Sequence, residues 1–242
     1  MPTETVPKGY KRTDVGMIPE DWEVKSLGEL GQFKNGINKA KEDFGHGFPF
    51  VNLMDVFGIP KVSAAAAGFG LLNSTPAERK LYELKSGDVL FVRSSVKPEG
   101  VGLTTLIPED LPDTVFSGFL IRYRDNGRLT PEFKEHCFWQ GSFRNRLVAS
   151  STVSANTNIN QDALKGLKIG FPPNPPEQRA IATALSDVDA LINSLDRLIA
   201  KKRDLKQAAM QELLIGKRRL PGFSGKWEVK RLNDITDCLD NL

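Results

Sequence analysis

A few residues in this chain have types and spacings that could do chemistry. Pro112-Asp113 followed by Glu132-Phe133-Lys134 fits the loose pattern of a nuclease, in which a Glu and a Lys on one strand converge with an Asp on magnesium. Thr130-Pro131-Glu132 reads instead as a helix start, which splays the two side chains, so a magnesium-dependent nuclease is the weakest alternative. Asn174-Pro175-Pro176 is similar to an amino-methyltransferase tetrad, but Glu177 stands where an aromatic must stack on a flipped base. His46 and His136 have no convincing triad partner. Cys137 and Cys238 lie too far apart for metal-ligand spacing and read as free thiols in a reducing compartment. No glycine-rich cofactor loop follows a strand, and there is no phosphate loop. Catalysis is therefore not expected of this chain, nor a bound metal or cofactor.

The remaining chemistry is that of binding. Arg, Lys, Asn and Gln reach base edges, while Lys, Arg and small hydroxyls hold phosphates. Such residues gather in three loops. Lys34, Asn35, Asn38, Lys39 and Lys41 form the first. Arg93, Ser94, Ser95 and Lys97, just past a strand end, form the second. Ser150, Ser151, Thr152, Ser154, Asn156, Thr157 and Asn158 form the third, preceded on a helix by Arg144, Asn145 and Arg146. Each alone also fits a solvated surface. Together, set around a rigid sheet, they suit a DNA reader. The net charge is only +3, but residues 201–219 hold seven basic against two acidic residues. Such a stretch can follow phosphates or simply be a solvated helix end.

These loops need a scaffold. From Trp22 to about Phe171, short apolar runs alternate with Gly, Pro and Asn punctuation. Phe48–Val56, Asp88–Val92, Val101–Ile107 and Thr114–Tyr123 read as strands. Thr75-Pro76 and Thr130-Pro131 start helices to about Leu84 and Val148, with Thr as cap and Pro in the first position. The class is α+β. Pro172-Pro173-Asn174-Pro175-Pro176 reads as an extended entry that is not itself helical. Glu177 to Ile215 then contains neither Gly nor Pro. Ile181, Leu185, Val188, Ile192, Leu195 and Ile199 alternate four and three apart, an a/d seam. Ala184, Leu191, Leu198 and Leu205 widen the stripe, and Gly216 supplies the stop. At about 1.5 Å per residue this helix is close to 60 Å long, more than a domain of about 150 residues can cover. The stripe calls for another helix, unless it folds back over its own domain.

The chain also begins the same way twice. Trp22-Glu23-Val24-Lys25-Ser26-Leu27-Gly28-Glu29-Leu30 recurs as Trp227-Glu228-Val229-Lys230-Arg231-Leu232-Asn233-Asp234-Ile235, with five of nine positions identical. This spacing is far longer than a solenoid repeat. It reads as a duplicated module whose second copy has only started. The implied organisation is a loose lead-in over 1–16, a mixed domain over 17–172, a long coiled-coil helix over 173–216, and a linker with a truncated second copy over 217–242. The second copy is a candidate edge strand. Nothing resembles a signal peptide or a membrane span, so a cytoplasmic location is expected.

Leu164 to Pro173, followed by Pro176-Glu177-Gln178-Arg179-Ala180-Ile181-Ala182, strongly resembles the junction between target recognition domain and conserved helix in the DNA specificity subunits of type I restriction–modification systems. Gly216 to Phe223 leading to Trp227-Glu228 resembles the place where that family's second half begins. Gly87 to Phe91 and Asn158-Ile159-Asn160 also sit where the family has similar phrases. The resemblance runs from about Pro7 onward. It implies a non-catalytic subunit that reads double-stranded DNA and docks methyltransferase subunits, which restriction/translocase subunits join. S-adenosylmethionine, ATP and magnesium would sit on those partners. A full subunit has two recognition domains and two antiparallel helices; this chain has one of each. The implied assembly is a homodimer through Ile181, Leu185, Val188, Ile192, Leu195 and Ile199. It would read an inverted repeat whose half-sites lie under about two duplex turns apart. The target bases are not transferable from the family. A protein-interaction fragment with no DNA contact is the other alternative.

Overall fold

Val89-Leu90-Phe91-Val92 carries no polar residue because both of its faces are buried. Val89 and Phe91 point into one core cluster, Leu90 and Val92 into another, as the two-residue period of a strand requires. The computed structural model describes residues 6–66, 68–153 and 156–236. They divide between Ser186 and Asp187 into two compact units. Ser154, Cys238 and the last residues of the second copy, 237–242, lie outside the described residues.

The first unit opens with strands β1 (Tyr10–Thr13), β2 (Gly16–Pro19) and β3 (Glu23–Ser26), helix α1 (Leu27–Leu30), strands β4 (Gly31–Asn35) and β5 (Phe44–Val51), and helix α2 (Leu53–Val56). Strand β6 (Gly70–Leu72), helix α3 (Pro76–Leu81) and strands β7 (Val89–Val92), β8 (Ser94–Ser95), β9 (Thr104–Leu106), β10 (Val115–Phe116) and β11 (Leu120–Asp125) follow. Then come helices α4 (Pro131–Cys137) and α5 (Gly141–Ala149), strands β12 (Thr152–Val153) and β13 (Thr157–Asn158), helix α6 (Gln161–Gly166), strand β14 (Lys168–Phe171) and the start of helix α7 (Pro175–Leu214), whose remainder belongs to the second unit.

The central sheet has the order β4-β11-β7-β9, antiparallel throughout. Phe133, Phe138, Phe143 and Leu147 from α4, α5 and the turn between them cover one face with Leu27, Leu30 and Leu164. Val51, Val56, Leu84, Ile107, Leu111 and Phe116 fill the other. Around this core lie the sheets β10-β5-β6, β12-β13-β8 and β14-β3 and the hairpin β1-β2. The fold is α+β.

The helix starts stand where Thr and Pro place them. Thr75 and Glu78 form a reciprocal capping box, and the Thr130 hydroxyl accepts from the Phe133 N–H. Other expectations change. Residues 10–19 are a hairpin rather than a loose lead-in, with Val15 and Ile18 buried against Gly170. The run Phe48–Val56 leaves its strand at Val51, because Asn52 and Asp55 cap a helical turn there. The helix expected from Thr130 to Val148 is two helices. Phe133, Phe138 and Phe143 are five residues apart, so one continuous helix would rotate each about 140° from the last; the break at Phe138–Gln140 turns all three into the core. Finally, Pro175 and Pro176 are helical, since the first helical positions need no N–H.

The start of α7 is locked to the domain by Gln178, which is fully buried. Its Nε2 donates to Arg128 O at 2.9 Å and Pro172 O at 2.8 Å, and its Oε1 accepts from Thr130 N–H at 2.7 Å. Beside it, Trp22 Nε1 donates to Glu177 Oε1 at 3.0 Å. Gln178→Ala strands three backbone groups, that of Pro172 buried and the other two partly so, and should cost about 2 kcal/mol. Thermal unfolding should register this as a melting point lower by about 6 °C.

In the second unit Gly216, at φ +71°, ends the helix in the left-handed region. A Cβ there would lie 2.1 Å from Trp227 Nε1, so both the turn and the indole require glycine. Within its own chain the second copy forms no edge strand among the described residues: 227–236 hold only a 3-10 turn at Leu232–Asp234. In the first copy the same sequence is a strand because Glu23–Ser26 pairs with Lys168–Phe171.

Candidate functional site

The three donor-rich loops meet at the turn Ser117-Gly118-Phe119, which interrupts what reads in the sequence as one strand from Thr114 to Tyr123. Gly118 N–H donates to Ile37 O at 2.8 Å, and Arg93 N–H donates to Phe119 O at 2.8 Å. Arg93 Nη1 also reaches Gly118 O at 3.4 Å. From the first loop, the Asn38 side chain packs so closely on Gly118 that a Cβ there would lie 1.9 Å from Asn38 Oδ1. This turn therefore ties the first loop to the second. The third joins through a short ribbon, in which β8 pairs with β13 and β13 with β12. Ser95 lies opposite Thr157 and Ser94 opposite Asn158, while Ile159 N–H donates to Arg93 O at 2.9 Å.

Asn35, Asn38, Lys41, Lys97, Asn145, Thr152 and Asn156 are exposed. Lys34, Arg93, Ser94, Ser95 and Asn158 are half-buried; Lys34 Nζ lies 5.4 Å from the Tyr82 ring centre. Three further cations are engaged within the domain. Lys39 Nζ pairs with Glu78 at 2.8 Å. This hydrogen bond raises the lysine and, with the Thr75 N–H, holds the Glu78 carboxyl below its ordinary range. The stability it confers is present above the ordinary carboxylate range and is lost as pH falls through the lowered value. Arg144 Nη2 donates to Glu99 O and Val101 O at 2.9 and 2.7 Å, and Arg146 Nη2 to Lys168 O at 3.0 Å. Desolvation lowers both guanidiniums. Arg144 thus ties α5 to the segment just after the second loop, and Arg146 ties it to β14.

The residues with a nuclease-like spacing do not converge. Asp113 pairs with Arg79 at 2.9 Å, while Lys134 is buried against Asp125 and Gly87 O. Glu132 lies in the first turn of α4. Cys137 is a free thiol pushed well up by burial, which disfavours the thiolate. His136 Nε2 meets Ser186 Oγ at 3.1 Å. Among the described residues no group of three or more His, Cys, Asp or Glu could hold a metal ion, and no helix is long and apolar enough to cross a membrane.

Sequence reasoning missed the Ser117–Phe119 turn and Gln178. An isolated Gly inside an apolar run was the available signal for the first, since it marks a bulge or a close approach.

Comparison with known proteins agrees with this organisation. In Methanocaldococcus jannaschii, the protein assigned as specificity subunit of the MjaX type I restriction enzyme is 28% identical over 211 residues, 85% of this chain and 48% of that protein. The MjaIX specificity subunit of the same organism is 26% identical over 241 residues, 93% of this chain and 54% of that one. The chain thus spans about half the length of the curated relatives it matches. The solved HsdS subunit from Thermoanaerobacter tengcongensis shares the fold at a TM-score of 0.56 and 19% identity, over 85% of this chain and 47% of that one. The model of the type I restriction modification DNA specificity domain matches residues 19–202, and the chain belongs to that family.

Proposed function

We propose that this chain is the DNA-recognition component of a type I restriction–modification complex, acting in the cytoplasm. Its domain reads one half-site of double-stranded DNA. It catalyses nothing itself; methyltransferase subunits dock on it and bring S-adenosylmethionine, and restriction/translocase subunits bring ATP and magnesium. Its long helix pairs with that of a second copy. The observation that carries the reading is the junction at Gly118, where three loops rich in amides, hydroxyls and cations are fixed side by side on a rigid sheet. Phosphate contacts hold a reader in register and base contacts specify the sequence; exposed Lys41 and Lys97 suit the first task, Asn38 and Arg93 the second.

Selection of bound duplexes from a random pool, with the methyltransferase present, tests this. Lys34→Ala and Arg93→Ala should weaken binding to the selected duplex about tenfold each. Gly118→Ala, which must displace Asn38, should alter the selected bases while melting within a few degrees of the parent. Variants that select the same sequence with the same affinity would refute the loop assignment. A parent chain that selects nothing would favour a protein-interaction fragment.

A further inference from the structure

Phe119 is more than half exposed, at 57%, although it stands between two buried strands. Its backbone is fixed on both sides: its N–H donates to Ser117 Oγ at 3.3 Å and its C=O accepts from Arg93 N–H at 2.8 Å. The ring is thus held outward at the junction of the three loops rather than left on a loose tip. Other exposed phenylalanines of this unit have partners. Phe44 packs edge-on against Phe50 at 5.5 Å, and Phe57 leans over Gly100. Phe119 has no ring partner among the described residues. Val96, immediately after β8, is 82% exposed on the same loop cluster, and Val153 of β12 is 78% exposed. The Phe119 ring therefore stands exposed at the turn that Asn38 and Arg93 contact.

Cations and amides around an apolar tip complement one ligand in particular. In the major groove the edge of a thymine presents a C5 methyl, which apolar side chains recognise, beside its own O4 acceptor and the N7 acceptor and N6–H donor of the paired adenine, which amides and guanidiniums read. We propose that Phe119 is a specificity-determining residue that contacts the C5 methyl group of a thymine in the target half-site. The inference rests on the DNA-reading role proposed above and supplies it with a base preference that the polar residues do not.

The test uses the full chain with its methyltransferase subunits and the duplex obtained by selection. Each thymine is replaced in turn by deoxyuridine, which removes only the methyl. At one position the parent should lose about fourfold in affinity, the equivalent of one buried methyl. Phe119→Ala should bind the thymine duplex about tenfold more weakly and lose the distinction between thymine and uracil there. Phe119→Leu should keep it. A parent that selects a sequence yet shows no sensitivity to uracil, or a Phe119→Ala variant with an unchanged uracil profile, overturns the methyl contact and leaves the reading role standing. Equal loss on both duplexes, with unstacking reported by 2-aminopurine fluorescence, would make Phe119 a wedge and also overturn it. A parent that selects no sequence ends both proposals.

Discussion

Replacing Lys134 by Met should destabilise the domain by about 3–5 kcal/mol, the cost of leaving a buried charge without its partner. Side-chain exposure is only 3% for Lys134 and 6% for Asp125. The ammonium also donates to Gly87 O at 2.6 Å, and Asp125 Oδ2 accepts from Gly127 N–H at 3.0 Å and Leu129 N–H at 3.2 Å. Methionine fills the channel but leaves a carboxylate and a carbonyl facing apolar surroundings. For a unit of this size the melting temperature should fall by about 10 °C. Adding Asp125→Asn removes the stranded charge while its amide oxygen keeps the two backbone N–H partners, so the double variant should recover more than half of the loss. A single variant within about 1 kcal/mol of the parent would show that the pair does not hold β11 to α4.

Ile192→Asp combined with Leu195→Asp should abolish self-association, weakening it by more than about a hundredfold. Val188, Leu191, Ile192, Leu195, Leu198 and Ile199 are each about half exposed in the single chain, a contiguous stripe of the kind that marks an interaction surface. Each large aliphatic side chain gains about 1.5–3 kcal/mol on full burial, and in a two-fold pair every substitution counts twice. Because these side chains are exposed in the single chain, the unit of residues 1–186 should still fold, while sedimentation shifts from dimer to monomer at micromolar concentration. A parent chain that sediments as a monomer, with no methyltransferase present, would contradict self-pairing.

How much of this was legible in the sequence differs by level. The helix starts at Thr75 and Thr130, the stop at Gly216 and the doubly buried run at Val89–Val92 rest on local chemistry, and the residues alone reveal them. The break between α4 and α5 does not, because it depends on where Phe133, Phe138 and Phe143 must point once a sheet exists beneath them. The same holds for the second copy of the repeat, which has the residues of a strand but, among the described residues, is not paired as one. In the site, residue type located the three loops, and only the pairing of Ser94–Ser95 with Thr157–Asn158 and the turn at Gly118 brought them together. Residue type did not separate Arg144, Arg146 and Lys39, engaged within the domain, from Lys41 and Lys97, which are exposed. That division depends on which carbonyls and carboxylates the fold brings within reach.

The central claim is that this chain decides which DNA sequence its complex acts on. It is tested most directly by mapping methylated adenines in cells carrying the chain with its methyltransferase, before and after residues 34–41 and 93–97 are exchanged for those of a relative. A two-part inverted repeat with a fixed gap, whose half-site bases change with the exchange while the gap stays constant, is the predicted result. A methylated sequence that remains the same after the exchange would contradict it.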